Sequence, residues 1–270
     1  QLASRLAYIR NYLVMDPYIN IALSAAHDAA EAAAHSSDRL DRVKVLDASS
    51  ERFLTSMDNN ADKTVLYHLQ KAYPTHSFHS RVSGYQKGED ENTVWLIDPL
   101  VGNQNFIRGY PHFAVSIACQ VNKQLTHAVV VDPLLQEEYV ATRGKGAQIK
   151  SRRLRVNDAK ELAGTLINLN PDSLPSDKFL SIQAGLAEAE AIPRIQGCTV
   201  LDMIGVAAGR AAAGWGPVDL ECSLAAASLI LQEAGGLIAN EAGNPDFYSG
   251  KEIVYGNPKC FRHLLKLLQD

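Results

Sequence analysis

The stretch VWLIDPLVGNQNF, Val94–Phe106, combines an apolar strand, a tight acidic turn and a polar helix start. Asp98 ends the apolar run, where core packing gives a carboxylate little purpose, so we interpret this residue as functional. Gly102 and Asn103 predict a helix N-terminus whose free backbone N–H groups hold an anion. A carboxylate beside such a site is typical of Mg²⁺ that shares its ligands with phosphate. Yet Val101 stands where a second acid would serve that chemistry.

The composition indicates a globular chain with a substantial core. The chain has 270 residues, of which 46% are hydrophobic and 21% are charged, and its formal net charge is -4. This charge argues against broad electrostatic capture of nucleic acid, and we expect no sequence-specific binding of it. A local protein or RNA contact stays open. The four cysteines lack CxxC spacing and predict reduced thiols of a cytoplasmic protein. No apolar run approaches the roughly 20 residues of a membrane span.

The N-terminal part of the sequence predicts two helices. Residues 1–14 lack the pattern of a signal peptide, and we interpret them as an N-terminal extension ahead of a natural initiator, Met15. Alanine-rich apolar residues at helical spacing then predict a helix over 16–36. A second amphipathic run closes at Pro74 and carries Asp58 at its entrance. Simple helix capping is an alternative role for this acid.

Strands and helices alternate through the rest of the chain, which favours a layered α/β architecture. The predicted strands cover 94–100, 113–121, 126–133, 137–143, 164–170 and 218–223. Predicted helices cover 174–191, 200–213 and 224–236. The glycines of TRGKGAQIK predict a turn instead of a phosphate loop, because no helix pattern follows them. We expect subdomains over 15–150 and 151–270, with a site at their interface.

The opening stretch resembles the signature of the inositol monophosphatase family, W-[IV]-I-D-P-[IL]-D-G-T-T-N-F. The segments PHFAVSIA, ATRGKGAQ, VAAGR, EAGG and GNP follow in the family's order. This likeness runs from about Met15 to the C-terminus and is closest to the bacterial SuhB-type members. The resemblance implies an α/β (α+β) fold, namely the layered αβαβα sandwich of the inositol monophosphatase and fructose-1,6-bisphosphatase superfamily.

The family pattern implies a phosphatase with two or three metal ions, and some of its site residues are retained here. Asp98 matches the first acid of D-P-x-D-G, and Leu100 would supply the backbone carbonyl ligand after the proline. Asp58 matches the acid that partners the family's threonine. The position of that threonine, which helps to place the attacking water, holds Asn103.

Other positions of the family pattern have lost their acids. Val82 replaces one acid of the family's E-E pair and Arg81 the other, Val101 replaces the acid that contributes to two metals, and Ser223 replaces the acid of W-D-x-A. Gly216 stands where a substrate-contacting glutamate is expected. Because valine has no side-chain oxygen, we predict a degenerate site with no required cofactor and at most one weakly bound Mg²⁺.

Positive charge near the former metal pocket suggests what replaces the metal. His79 and Arg81 are the candidates, and we hypothesise that one of them pairs with Asp98 or Asp58. A solvated surface loop is the alternative. We also expect Ser223 to cap the helix that follows it.

Two functions of different classes stay open. The resemblance to SuhB-type members implies a non-catalytic binding or regulatory protein of transcription antitermination, with Nus factors and RNA polymerase as partners. The alternative is a weak Mg²⁺-dependent phosphatase acting on inositol 1-phosphate or a related sugar phosphate. A lesser alternative is an anion sensor at residues 102–105. The family commonly forms dimers, so the resemblance also implies a homodimer.

Overall fold

The structure is a computed structural model that describes residues 16–49 and 52–269. The extension predicted for residues 1–14 and the initiator Met15 lie outside the described residues. The α-helices are α1 (Pro17–Ser37), α2 (Ser56–Ala72), α3 (Asn103–Ile107), α4 (Ser176–Glu188), α5 (Thr199–Ala207), α6 (Glu221–Glu233) and α7 (Pro258–Gln269). Short 3₁₀ helices cover Leu40–Arg42 and Phe247–Ser249.

The strands build two large sheets and one small ribbon. Strands β1 (Val45–Asp47) and β2 (Leu54–Thr55) form the ribbon. The eight-stranded sheet has the order β10-β9-β8-β7-β6-β5-β3-β4. Its strands are β3 (His76–Ser80), β4 (Gly84–Gln86), β5 (Asp90–Val101), β6 (Ala114–Val121), β7 (Gln124–Asp132), β8 (Glu137–Thr142), β9 (Gly146–Ile149) and β10 (Arg152–Arg153). The five-stranded sheet has the order β12-β11-β13-β15-β14. Its strands are β11 (Leu166–Leu169), β12 (Ile192–Ile195), β13 (Ala213–Pro217), β14 (Leu237–Asn240) and β15 (Glu252–Gly256).

Helices and sheets alternate in five layers, as the resemblance predicted. Helices α1 and α2 cover one face of the eight-stranded sheet through a core rich in alanine. Helices α5 and α6 fill the space between the two sheets. Helices α4 and α7 cover the outer face of the five-stranded sheet. The αβαβα sandwich is therefore confirmed, and each apolar sheet face is buried against helices.

Local sequence signals explain where the first helices begin. The Asp16 carboxylate accepts a hydrogen bond from the Tyr18 N–H, and Pro17 occupies the first helical position of α1. Thr55 and Asp58 form a reciprocal capping box at the start of α2. The strands predicted over 113–121 and 126–133 are present as β6 and β7, which pair as an antiparallel hairpin.

Two predicted elements of the C-terminal half are wrong. The helix predicted over 200–213 ends at Ala207, because Gly209 takes a left-handed φ of 74° that terminates a helix. The strand predicted over 218–223 is absent, and α6 begins at Glu221. Val218 and Leu220 flank an acid and so imitate the period of a strand, but Leu220 is 54% exposed and stands at the N-cap.

Candidate functional site

A cleft of about 680 Å³ opens between the elements of the two sheets. One wall comes from the end of β5 and the start of α3, and the other from the loops after β11 and β13 and the start of α5. Asp98 and residues 100–104 of the opening sequence stretch line this cleft together with Arg81. The structure thus brings together most of the predicted site residues.

Arg81 lies at the centre of the site, immediately after β3. Its Nε donates a hydrogen bond to Oδ1 of Asp98 at 2.8 Å. Its Nη2 donates to Oδ1 of Asp58 and, at 3.1 Å, to the carbonyl oxygen of Leu100. Burial lowers the pKa of Arg81, but the charges of Asp98 and Asp58 outweigh this effect and raise it above its ordinary value. The pairing predicted for Arg81 is therefore present, and with both acids.

Asp98 is held from two further directions. It is 3% exposed, and its Oδ1 also accepts the N–H of Leu100 at 3.2 Å. Its Oδ2 accepts the Ser223 hydroxyl at 2.6 Å. Ser223 lies inside the first turn of α6, whose N-cap is Leu220, so the expectation that Ser223 caps this helix is wrong. The hydroxyl instead reaches a buried carboxylate, which is a stronger acceptor partner than a backbone group.

Asp58 combines capping with the charged contact. It is fully buried, and its Oδ2 accepts the N–H and the hydroxyl of Thr55, both at 2.7 Å. Its Oδ1 accepts Nδ2 of Asn103 at 3.1 Å in addition to the Arg81 bond. Both roles considered for Asp58 therefore coexist in one carboxylate. Asn103 contacts Asp58 with the side chain that stands at the family's threonine position.

The start of α3 is shaped by Gly102, which has a left-handed φ of 75°. A Cβ at this position would lie 2.6 Å from the carbonyl oxygen of His112, so only glycine fits. Gly102 and Asn103, the predicted anion site, both line the cleft. Nδ2 of Asn103 is engaged by the carbonyl oxygen of Phe53 at 2.8 Å as well as by Asp58.

The remaining predicted positions contribute apolar or structural contacts. Val101 is 4% exposed and packs into the core between the sheets. The N–H of Val82 donates to the Ser80 hydroxyl at 3.0 Å. A Cβ on Gly216 would lie 3.2 Å from Oγ1 of Thr199, which leaves little room for a longer side chain. His79 meets the ring of Tyr85, with centroids 6.0 Å apart, and makes no described contact with Asp58 or Asp98.

Several cleft residues escaped the sequence interpretation. They are polar side chains from separate segments, namely Arg52, Asn170, Asp172, Thr199 and Asp219. Asn170 and Asp172 lie just after β11, and Thr199 is the first residue of α5. These positions were the available signal, because loops at strand ends line clefts in layered α/β folds. Sequence spacing gave no means of relating these segments to Asp98.

A second pair of titratable groups, the partly buried His112 and the buried Asp202, lies outside the residues that line the cleft. Nε2 of His112 is 3.6 Å from Oδ1 of Asp202, which is 1% exposed. Among the residues that the structure describes, neither oxygen of this carboxylate nor Nε2 of His112 has a hydrogen-bond partner. Burial raises the pKa of Asp202, and the neighbouring His112 opposes this shift.

Across residues 16–49 and 52–269, no group of three or more His, Cys, Asp or Glu side chains is arranged to hold a metal ion. None of the helices in that same part of the chain combines the length and the apolarity needed to cross a membrane.

Comparison with known proteins places this geometry in context. Over 264 residues the chain is 42% identical to Nus factor SuhB of Pseudomonas aeruginosa, covering 94% of this chain and 97% of that one. It is 35% identical over 260 residues to Nus factor SuhB of Escherichia coli K12, covering 95% and 97% of the two chains. The extragenic suppressor protein suhB from Bartonella henselae superposes with a TM-score of 0.91 at 28% identity, covering 94% and 99%.

A more distant solved structure agrees in fold. The inositol monophosphatase TM1415 of Thermotoga maritima superposes with a TM-score of 0.85 at 22% identity, and the match covers 94% of this chain and 97% of that one. The sequence pattern of the inositol monophosphatase family matches residues 14–270. With nearly the whole chain matched in sequence and in structure, this protein belongs to the inositol monophosphatase family.

Proposed function

We propose that this chain is a SuhB-like Nus factor, a non-catalytic binding or regulatory protein that works with the transcription machinery. The relatives named Nus factor SuhB support this proposal, because they match more than nine-tenths of the chain. The placement of Arg81 between Asp58, Asp98 and the Leu100 carbonyl supports the non-catalytic part. In this proposal the protein is a cytoplasmic homodimer, and its partners are Nus factors and RNA polymerase.

The residues present do not fit the metal centre of an active family member. Two-metal phosphoryl transfer needs oxygen ligands that hold the cations roughly 4 Å apart. Here the guanidinium of Arg81 engages the same carboxylate and carbonyl oxygens, so Mg²⁺ would have to displace a group of like charge. Val82 and Val101 supply no side-chain oxygen, and the Ser223 hydroxyl is already engaged as a donor to Asp98.

The energetic consequence follows from the missing oxygen ligands. A metal-bound water is the nucleophile in this type of hydrolysis, and its activation depends on the charge and spacing of the bound cations. Each 1.36 kcal/mol of lost transition-state stabilisation slows a reaction about tenfold. Because the Arg81 guanidinium occupies the carboxylate pocket, the chain retains the fold of the phosphatase but has no means to activate water.

Phosphate release from inositol 1-phosphate over a Mg²⁺ titration tests the catalytic part. We expect no turnover by the natural chain. A triple variant, Val82→Glu, Val101→Asp and Ser223→Asp, should stay inactive because it keeps Arg81. Adding Arg81→Glu should give Mg²⁺-dependent turnover. Turnover by the natural chain at an ordinary enzyme rate would contradict the non-catalytic proposal and support the alternative, a Mg²⁺-dependent phosphatase of inositol 1-phosphate or a related sugar phosphate.

Co-elution in size-exclusion chromatography tests the partners. Purified Nus factors and RNA polymerase from Pseudomonas aeruginosa are suitable probes, because the relative from that organism is 42% identical. The Thermotoga maritima inositol monophosphatase, which has the same fold, is the matched control. We expect the chain to enter a complex that the control does not. Failure to enter any such complex would overturn the Nus-factor proposal while leaving the catalytic result unaffected.

A further inference from the structure

We propose that the edge of the eight-stranded sheet formed by residues 143–155 binds the phosphate backbone of double-stranded nucleic acid without sequence specificity. This inference goes beyond the proposed function and rests on the charge distribution. We call the surface the basic edge. Its cations are Arg143, Lys145, Lys150, Arg152, Arg153 and Arg155.

The basic edge concentrates positive charge on an acidic protein. The whole chain carries a net charge of -4, yet residues 143–155 contain six cations and no acid. All six side chains are exposed, and none forms an ion pair with any residue that the structure describes. Lys145 and Lys150 act at longer range on the carboxylates of Asp16 and Glu137, so the segment is partly compensated but keeps an excess of positive charge. Exposed cations concentrated in this way are the electrostatic footprint of a nucleic-acid surface.

The backbone geometry presents these cations at an open border of the molecule. Among the strands of the described residues, β10 is terminal in the eight-stranded sheet and pairs only with β9. Ala147, Ile149 and Leu154 are buried on the inner face. Arg153 pairs with the exposed Gln148 and lies on the outer face, whereas Arg152 pairs with Ile149 and is exposed at the sheet edge. From Lys145 to Lys150, the five residue steps along β9 span roughly 16 Å at about 3.3 Å per residue. A duplex presents several phosphates over that length.

The hairpin is also held in a fixed orientation. The Glu233 carboxylate on α6 accepts the N–H groups of Gly144 and Gly146, each at 2.8 Å. The Arg153 guanidinium lies over Gly146, where a Cβ would be 3.3 Å from its Nε. The Glu233 carboxylate is therefore occupied by backbone N–H groups. It ties the turn that carries Lys145 to α6, which lies in the layer between the sheets. A pre-oriented array loses less conformational entropy on binding than mobile lysines would.

The surroundings favour nucleic acid over an acidic protein. In the described part of the chain, no large apolar side chain is exposed between Leu135 and Leu180. Stable protein interfaces bury an apolar or aromatic centre, whereas nucleic-acid interfaces are polar and positively charged. The basic edge also contains no aromatic residue. Base stacking is therefore absent, which favours contact with the backbone of a duplex over binding of unpaired bases.

Fluorescence polarisation with labelled 20-base-pair RNA hairpins and DNA duplexes of unrelated sequences tests this inference. We expect all of these probes to bind with similar affinity and to weaken as salt rises from 50 to 200 mM. The quadruple variant Lys150→Gln, Arg152→Gln, Arg153→Gln and Arg155→Gln should bind at least about tenfold more weakly at 50 mM salt. Its salt slope should fall by roughly 0.9 for each phosphate that the variant no longer neutralises.

The matched control removes the same charge from exposed positions elsewhere, through Lys63→Gln, Lys259→Gln, Arg262→Gln and Lys266→Gln. It should bind within about twofold of the natural chain, and circular dichroism should show that both variants are folded. If both variants lose the same affinity for nucleic acid, the loss depends on net charge alone, and the proposal is overturned. Binding of labelled poly-L-glutamate, but not of the nucleic acids, would also overturn it, because that outcome identifies an acidic protein as the ligand. Failure of every probe to bind also overturns it.

Discussion

The Arg81 cluster at the cleft and the His112–Asp202 pair outside its lining differ in how their hydrogen bonds are satisfied. In the first, Arg81 bridges Asp58 and Asp98, and both acids accept further bonds from backbone or hydroxyl donors. In the second, His112 and Asp202 lie 3.6 Å apart, with no hydrogen-bond partner for the carboxylate among the described residues. In the first cluster the Arg81 guanidinium contacts both carboxylates directly. In the second, the His112 ring is too far from Asp202 for a hydrogen bond.

This difference determines how each cluster contributes to stability. A buried ion pair contributes when its geometry is good and its remaining lone pairs are satisfied, and removal of one partner then leaves an uncompensated buried charge. A buried carboxylate without partners costs free energy and is stabilised by keeping its proton. We therefore expect the Arg81 cluster to respond strongly to mutation and weakly to mild changes of pH. The His112–Asp202 pair should behave in the opposite way.

The largest expected effect comes from Arg81→Leu, which removes the cation and leaves Asp58 and Asp98 facing each other. The free energy of unfolding should fall by about 3–5 kcal/mol, the usual cost of breaking a buried charge pair. Urea denaturation at pH 7 measures this loss. Arg81→Lys keeps the charge but loses the planar fork, so its loss should be smaller.

The effect of Mg²⁺ on the melting temperature tests whether Arg81 takes the place of a cation in the first cluster. In Arg81→Leu, the carboxylates and the Leu100 carbonyl no longer have a cation, and millimolar Mg²⁺ should raise the melting temperature of this variant. The natural chain should show no such rise. A loss below about 1 kcal/mol in Arg81→Leu, or equal Mg²⁺ stabilisation of both chains, would show that Arg81 does not take the place of a cation.

A smaller effect is expected from Ser223→Ala, which removes the donor to Oδ2 of Asp98 at 2.6 Å. Hydrogen bonds to charged groups contribute about 1.5–3 kcal/mol, and we expect a loss of the free energy of unfolding in that range. Ser228→Ala on the same helix is the control, because the Ser228 hydroxyl donates only to the carbonyl of Ala225. If the free energy of unfolding falls equally in the two variants, the hydrogen bond to Asp98 contributes no more than one to a backbone carbonyl.

The two clusters also differ in how far the sequence predicted them. The family signature and the periodicity of the helices were sufficient for the layered fold, for the Asp58 position and for two candidate partners of the acids, His79 and Arg81. The role of Ser223 was missed, because it depends on where α6 begins, and Leu220 imitated a strand residue. The set of hydrogen bonds that Arg81 makes also depends on side-chain geometry that spacing does not contain.

The His112–Asp202 pair was not predicted at all. Its members are separated by 90 positions in the sequence, and neither belongs to a motif that specifies a distance between them. A lone histidine before a strand and an acid in the first turn of a helix each have ordinary local explanations. Only the tertiary fold, which brings the first turn of α5 beside the segment before β6, places the two together.

The smallest and most pH-sensitive effect should come from Asp202→Asn. Burial raises the pKa of Asp202 above its ordinary value of 3.8, so the folded chain retains a proton that the unfolded chain has lost. The stability contributed by this proton is fully present below the unfolded pKa and is lost as pH rises through the folded pKa. Asparagine has no such titration. The free energy of unfolding of the natural chain, relative to that of the variant, should therefore fall between pH 4 and pH 7.

Matched urea denaturations of the two chains across this range measure the difference, and the other titrating groups cancel because both chains contain them. His112 is the neighbour whose interaction with Asp202 opposes the shift. If the relative stability rises with pH instead, the ionised carboxylate is stabilised by His112, and the contrast between a satisfied and an unsatisfied cluster is wrong. A fall that persists in His112→Gln would place its cause in the burial of Asp202 and not in the histidine.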